Sequence, residues 1–250
     1  MADPPNEEKP TDQKAGFRLT ESLRTTNSAA IAGVAYAVLS VATRALFQTL
    51  PDSSASDLAA WFSVESNGDS MLLALNLASF ATVAFLWFVA VIRRQVGDRE
   101  DQFFATVFVG SGTVLVIASL IAAAATTSPA IGARLLGSEV SESAADFAAS
   151  FGTTMSLVVA PRIEAVFVMT TSTVILHSEA LPRWLAIVGY GFGGVMFLAP
   201  FVSESMSFGF PIWVLLVSIV LLLATPRDLN GDGSSPAQPL KAGSERWPEA

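Results

Sequence analysis

The chain has no cysteine and a single histidine, His177. That excludes disulfides, thiolate nucleophiles, iron–sulfur clusters and Cys-based zinc sites, and it leaves no three-histidine metal site in one chain. Charge is scarce too: charged residues make up 14% of the 250, against about 25% in soluble domains. The formal net charge is −8, and no basic stripe with interleaved aromatics is present, which argues against nucleic acid as a partner. The first 26 residues are polar. No short apolar core with a small-residue cleavage site opens the chain, so the first span is expected to act as the insertion signal.

What is abundant is apolar. Apolar residues reach 52% and the mean hydropathy is +0.52. Runs near 20 residues match a hydrocarbon core of ~30 Å, and six occur, over about 27–49, 71–92, 103–125, 152–176, 185–201 and 207–225. In lipid each must be a helix, because only a helix satisfies its own backbone. The expected fold is all-α: a polytopic membrane helix bundle of six transmembrane helices over 27–225, immersed in a lipid bilayer. The arm 1–26 and the tail 226–250 have disorder-prone compositions. Within the arm, FRLTESLR (17–24) suits a short amphipathic helix on the inner leaflet.

Basic residues orient the bundle. Of fourteen, Arg44 and Arg162 lie within spans, and Arg134 alone lies in the connections 50–70, 126–151 and 202–206. The other eleven lie in the arm, the tail and the two remaining connections. Positive side chains stay cytoplasmic, so both termini are expected in the cytoplasm of a cell membrane. In the loop 50–70, Ser56 is placed to cap a short helix, DLAAWF, whose Trp61 and Phe62 suit the membrane interface. SEVSESAADFAAS (138–150) suggests a second short outer helix, and the two could pack as a lid over the bundle.

Three motifs have stronger plain readings. GYGFGG (189–194) matches a dinucleotide fingerprint but lacks the strand that must precede it. Gly189 and Gly193 instead form a GxxxG face for close helix packing. GSG at 110–112 would need His177 as a base to serve a protease, and a third triad member is missing. DLNGDG (228–233) begins like a calcium loop, but Pro239 stands where the bidentate Glu is required. No cofactor or metal is implied.

The stretch VVAPRIEAVFV (158–168) is the strongest functional pointer. Pro161 removes a backbone donor inside a span and predicts a helix kink. Arg162 and Glu164 are two residues apart, about 200° around a helix, so they face different ways. Each charge at mid-bilayer costs ~2.5–3.5 kcal/mol on insertion scales and needs a partner. Arg44 on span one is the proposed partner of Glu164, with an inward-bent Arg162 as the other choice. Thr153, Thr154, Thr170, Thr171, Thr173 and Asn76 are expected to add polarity nearby.

HSEALPRWLAIVGYGFGG (177–194), with its LPRWL turn at Leu181 to Leu185, the outer-loop helices and the IRRQ close of span two (Ile92 to Gln95) together resemble a bacterial family of six-helix integral membrane proteins, domain of unknown function 4386. The resemblance covers about 25–225. It implies the fold and a bacterial inner membrane, with no established activity and no catalytic residue to carry over.

Three functional readings follow. The first is a non-enzymatic membrane protein in which Arg44, Arg162 and Glu164 form an ion-pair cluster, either a structural clasp or a ligand site. The second is a small-molecule or proton-coupled transporter using Glu164 and the arginines. The third is a regulatory or assembly subunit offering the Gly189/Gly193 face to a membrane partner or a second copy of the chain.

Overall fold

The computed structural model describes residues 10–52, 54–96, 102–177, 181–199 and 203–224, with most side chains from Ser28 onward. Among these residues every regular element is helical. Five helices are long and apolar enough to cross a membrane: Ser28–Phe47, Glu65–Arg93, Ala105–Leu136, Glu142–Leu176 and Glu204–Leu223. A sixth apolar helix, Arg183–Leu198, is shorter. The chain is thus an all-α bundle with the makings of a membrane protein.

The helices are α1 (Pro10–Phe47), α2 (Ala55–Ser63), α3 (Glu65–Val96), α4 (Gln102–Leu136), α5 (Glu142–Thr154), α6 (Ala160–His177), α7 (Arg183–Leu198), α8 (Glu204–Ser207) and α9 (Gly209–Ala224). α1 starts well before its apolar run, so the arm, expected to be disordered apart from a short helix over 17–24, is helical from Pro10. The tail, and with it the calcium-like DLNGDG, lies outside the described residues.

Two expected boundaries move for identifiable reasons. α4 runs on through Pro129 to Leu136. Pro129 cannot donate to the carbonyl of Ala125, and the Ser128 hydroxyl donates to that carbonyl instead, at 2.9 Å. The expected separate helix within 138–150 is the first half of one rod. α5 passes into α6 through a single π-helical turn, Met155–Val159, just before Pro161. Widening the ladder to i→i−5 there, as in Ala160 N–H to Met155 O, is how a helix absorbs a missing donor without ending.

Rise per residue sets the levels. α3, α4 and the α5–α6 rod have 32, 35 and 35 residues, about 50 Å each at 1.5 Å per residue. At one end α1 stops at Phe47 and α9 begins at Gly209, and there α2 packs against α3, α4 and α5. Leu58, Ala59 and Phe62 of α2 join Met71, Ala130 and Ala145 in a small core of their own. Phe62 is therefore buried rather than interfacial, and the cap of α2 is Ser54 rather than Ser56, its hydroxyl accepting from Asp57 N–H at 3.4 Å. Arg134 ties this capped end together, 2.9 Å from Asp69 and 3.1 Å from Glu65.

The main core lies below the cap. Phe85 sits at its centre, with ring centroids 4.8 Å from Tyr36, 5.0 Å from Phe167 and 5.9 Å from Phe210. Around it, Ile31, Val38, Phe80, Val83, Trp87, Ile117 and Ile187 are exposed large apolar side chains, the surface that a bilayer would cover.

Candidate functional site

Because α1 stops while its neighbours continue, a hollow opens beside its end. It has a volume of about 670 Å³ and is bounded by α1, α3, α4, α8 and the α5–α6 rod. Tyr36 and Phe85 line it, and the aromatic core lies behind them. Hydroxyls from five elements line its walls, among them Ser40, Thr43, Thr82, Ser119, Ser156 and Ser207.

Glu164 and Arg44 meet in this cavity. Arg44 Nη2 donates to Glu164 Oε1 at 3.0 Å. The meeting follows from helix geometry. Every Cα–Cβ bond tilts toward its helix N-terminus, and α1 and α6 run in opposite directions. Arg44 therefore leans down from near the end of α1 while Glu164 leans up from α6. Glu164 is 3% exposed. Its Oε2 accepts no hydrogen bond among the described residues, and Arg44 Nε is buried without a partner among them. The pair lines the cavity with hydrogen-bonding capacity left over.

Arg162 is elsewhere. It turns to the opposite side of α6, as the 200° offset requires. One guanidinium nitrogen donates to the carbonyl of Val158 one turn back. The other donates at 2.9 Å to the carbonyl of Ala199, the residue that ends α7. The last carbonyls of a helix have no partner inside it, and α7 at 16 residues is about 24 Å long, short of a ~30 Å hydrocarbon layer. Arg162 supplies a cation to that negative end. It helps to seat a short helix and takes no part in the Arg44–Glu164 pair.

The other expected contributors separate in the same way. Thr153 and Thr154 line the cavity. Thr170 and Thr171 donate to their own helix, at the carbonyls of Val166 and Phe167, and Thr173 lies 2.7 Å from the Tyr190 hydroxyl. Asn76 is exposed and donates to Leu72 O at 2.8 Å, away from the cluster. Gly189 and Gly193 pack against α6. A Cβ at Gly193 would lie 2.9 Å from Met169 Cγ and 3.2 Å from Ala165 O, and one at Gly189 would strike Ser172 Oγ. That face is filled within the chain, so it is not free for a partner. Ser111 donates to Phe108 O at 3.1 Å; the side chain of His177 lies outside the described residues.

Beyond Thr153 and Thr154, sequence reasoning missed the hydroxyl lining and the rim carboxylates Asp52, Asp146 and Glu204. One signal was present. Tyr36, Ser40, Thr43, Arg44 and Phe47 recur at intervals of i, i+4, i+7, i+8 and i+11, one continuous face of an otherwise apolar helix. Compared with known families, curated proteins and solved structures, the chain matches no family model, no curated protein and no structure.

Proposed function

We propose that the chain is a six-span protein of the cell membrane, with both termini cytoplasmic and no catalytic role, that binds a small polar ligand in an outward-facing cavity floored by Arg44 and Glu164. One observation carries this reading: the buried ion pair lies against an open space of about 670 Å³ rather than in solid packing. Pockets for small ligands run to ~300–1,000 Å³, with a few polar groups among apolar walls. A pair kept only as a clasp would favour a dry, close-packed setting, because its desolvation is compensated by full partnering.

The basic-residue pattern supports the orientation, with α7 as the short sixth span. The likeness to the 4386 family rests on residues 92–95 and 177–194 and adds no activity. Placing one membrane boundary near Ser28, Arg93 and Arg183 and adding ~30 Å puts the other near Phe47, Leu73 and Leu157. The α2 cap then stands outside the bilayer, and Glu164 lies roughly 10 Å below its surface at 1.5 Å per residue. Transport would require the aromatic floor at Tyr36 and Phe85 to part, with Glu164 available to take up a proton.

The absence of native cysteine makes the test direct. Ser119→Cys places one thiol in the cavity wall, and Ala118→Cys places one in packed protein. In intact cells a membrane-impermeant maleimide is expected to label the Ser119 variant and spare the other. Absence of labelling at Ser119, or labelling only after the membrane is opened, would refute an outward-facing cavity.

A further inference from the structure

The chemistry of the cavity also selects among ligands. Its lining carries one guanidinium, Arg44, and four carboxylates, Asp52, Asp146, Glu164 and Glu204. The guanidinium is already engaged with Glu164 at 3.0 Å, so the inner wall is a neutral pair and the three other carboxylates are uncompensated within the lining. The surroundings reinforce this sign. The capped end bears eight carboxylates, Asp52, Asp57, Glu65, Asp69, Glu139, Glu142, Asp146 and Glu204, and a single basic residue, Arg134. Arg134 is held by Glu65 and Asp69. A concave site lined by one sign of charge, with low-dielectric walls, focuses its field and raises the local concentration of the opposite ion.

The lining further separates an organic cation from a metal ion. Among the described residues no three His, Asp or Glu side chains converge to hold a metal. The carboxylates are spread instead, from Asp146 on α5 to Glu164 eighteen residues further along the rod, about 27 Å of helix. A metal ion needs ligands within about 2.6 Å; an extended amine needs carboxylate and hydroxyl acceptors spaced along its length. The cavity supplies those, with Tyr36 and Phe85 in its apolar wall. Glu164 is nine-tenths buried or more, and its Oε2 is without a hydrogen bond among the described residues. It offers an acceptor at the inner end.

We infer that the ligand of this cavity is a small organic cation, an amine or quaternary ammonium compound, drawn in by the carboxylate rim and bound against the Arg44–Glu164 pair. The inference rests on the outward-facing cavity proposed above, and one experiment separates the two. Ser119→Cys in the full chain, in intact cells, is treated with two methanethiosulfonates of similar size, one bearing trimethylammonium and one bearing sulfonate. Rates are normalised to those with a free thiol. The cationic reagent is expected to react about tenfold faster, at the low end of known steering effects. The triple variant Asp52→Asn/Asp146→Asn/Glu204→Gln, which alters only exposed side chains, is expected to bring the ratio close to one. Tetramethylammonium or putrescine should slow the reaction at least threefold relative to sodium or calcium chloride of equal ionic strength.

If neither reagent reacts, the cavity reading fails and takes this inference with it. If both react with a ratio at or below one, the cavity stands and the cationic ligand is overturned. Equal protection by organic cations and simple salts would overturn it too.

Discussion

Arg44 and Glu164 show what an ion pair does when it is both buried and next to open space. Removing one partner strands a charge in a poorly solvated place, which in sealed interiors costs ~3–5 kcal/mol. Removing both leaves two neutral side chains beside a cavity that water can enter. The two single variants, Arg44→Gln and Glu164→Gln, should therefore each destabilise the purified protein more than the double variant does. A double-mutant cycle read by unfolding in detergent is expected to give a coupling of ~1–3 kcal/mol. Additive effects would mean that the 3.0 Å contact carries no energy. These two residues were legible in the sequence because a charge in an apolar run has few fates. Arg162 was legible as an anomaly but not in its role. Its partner is the end of α7, and where that helix ends relative to Arg162 is a tertiary fact.

At the scale of elements, α6 and α7 are the pair in which small residues decide the packing. Seen from α7, the contacts step backward along α6: Gly189 against Ser172, Gly193 against Met169 and Ala165, and Ala199 against Arg162. Gly189→Ala forces a methyl onto Ser172 Oγ and should destabilise by ~1–3 kcal/mol, the usual range for overpacking. Adding Ser172→Ala removes the obstructing atom and should recover most of that loss. Gly191→Ala and Gly194→Ala meet nothing within 4 Å and should be neutral or stabilising by up to ~1 kcal/mol, since alanine favours a helix over glycine. Thermal unfolding of the four variants checks the contrast; equal effects at 189 and 191 would contradict this packing. The GxxxG spacing announced such a face, though not which helix fills it. The continuous α5–α6 rod was hidden for a different reason. Its first half, Glu142–Thr154, is polar enough to read as a separate short helix outside the membrane, and the π turn that joins it to α6 leaves no mark in hydrophobic periodicity. The cavity was hidden because its hydroxyls are scattered singly over several helices, and many back-bond to their own turn, as Thr43 does to Leu39 and Thr126 to Ala122.

For the whole molecule, the remaining choice is between five crossings and six, and it turns on α7. By length alone α7 falls short, at 16 residues. Its contacts argue that it crosses. They run antiparallel along α6 from Tyr190, 2.7 Å from Thr173, to Ala199, 2.9 Å from Arg162, so α7 retraces most of α6. A helix that runs antiparallel beside a spanning helix over the same levels is placed as a sixth crossing would be, and Arg162 lies at the point where α7 stops early. Six crossings place residues 54 and 203 outside and the tail inside, in agreement with eleven basic residues on one side and Arg134 on the other. Single cysteines resolve the alternatives. Ser54→Cys and Ser203→Cys should react with an impermeant maleimide in intact cells, and Ser234→Cys only after the membrane is opened. If α7 lay on the cytoplasmic surface instead, α9 would run outward, residue 203 would be protected and residue 234 labelled. That inverted pattern would strand the three basic residues of the tail outside and refute the six-span arrangement, and it would also take Glu204 and Ser207 out of the cavity wall.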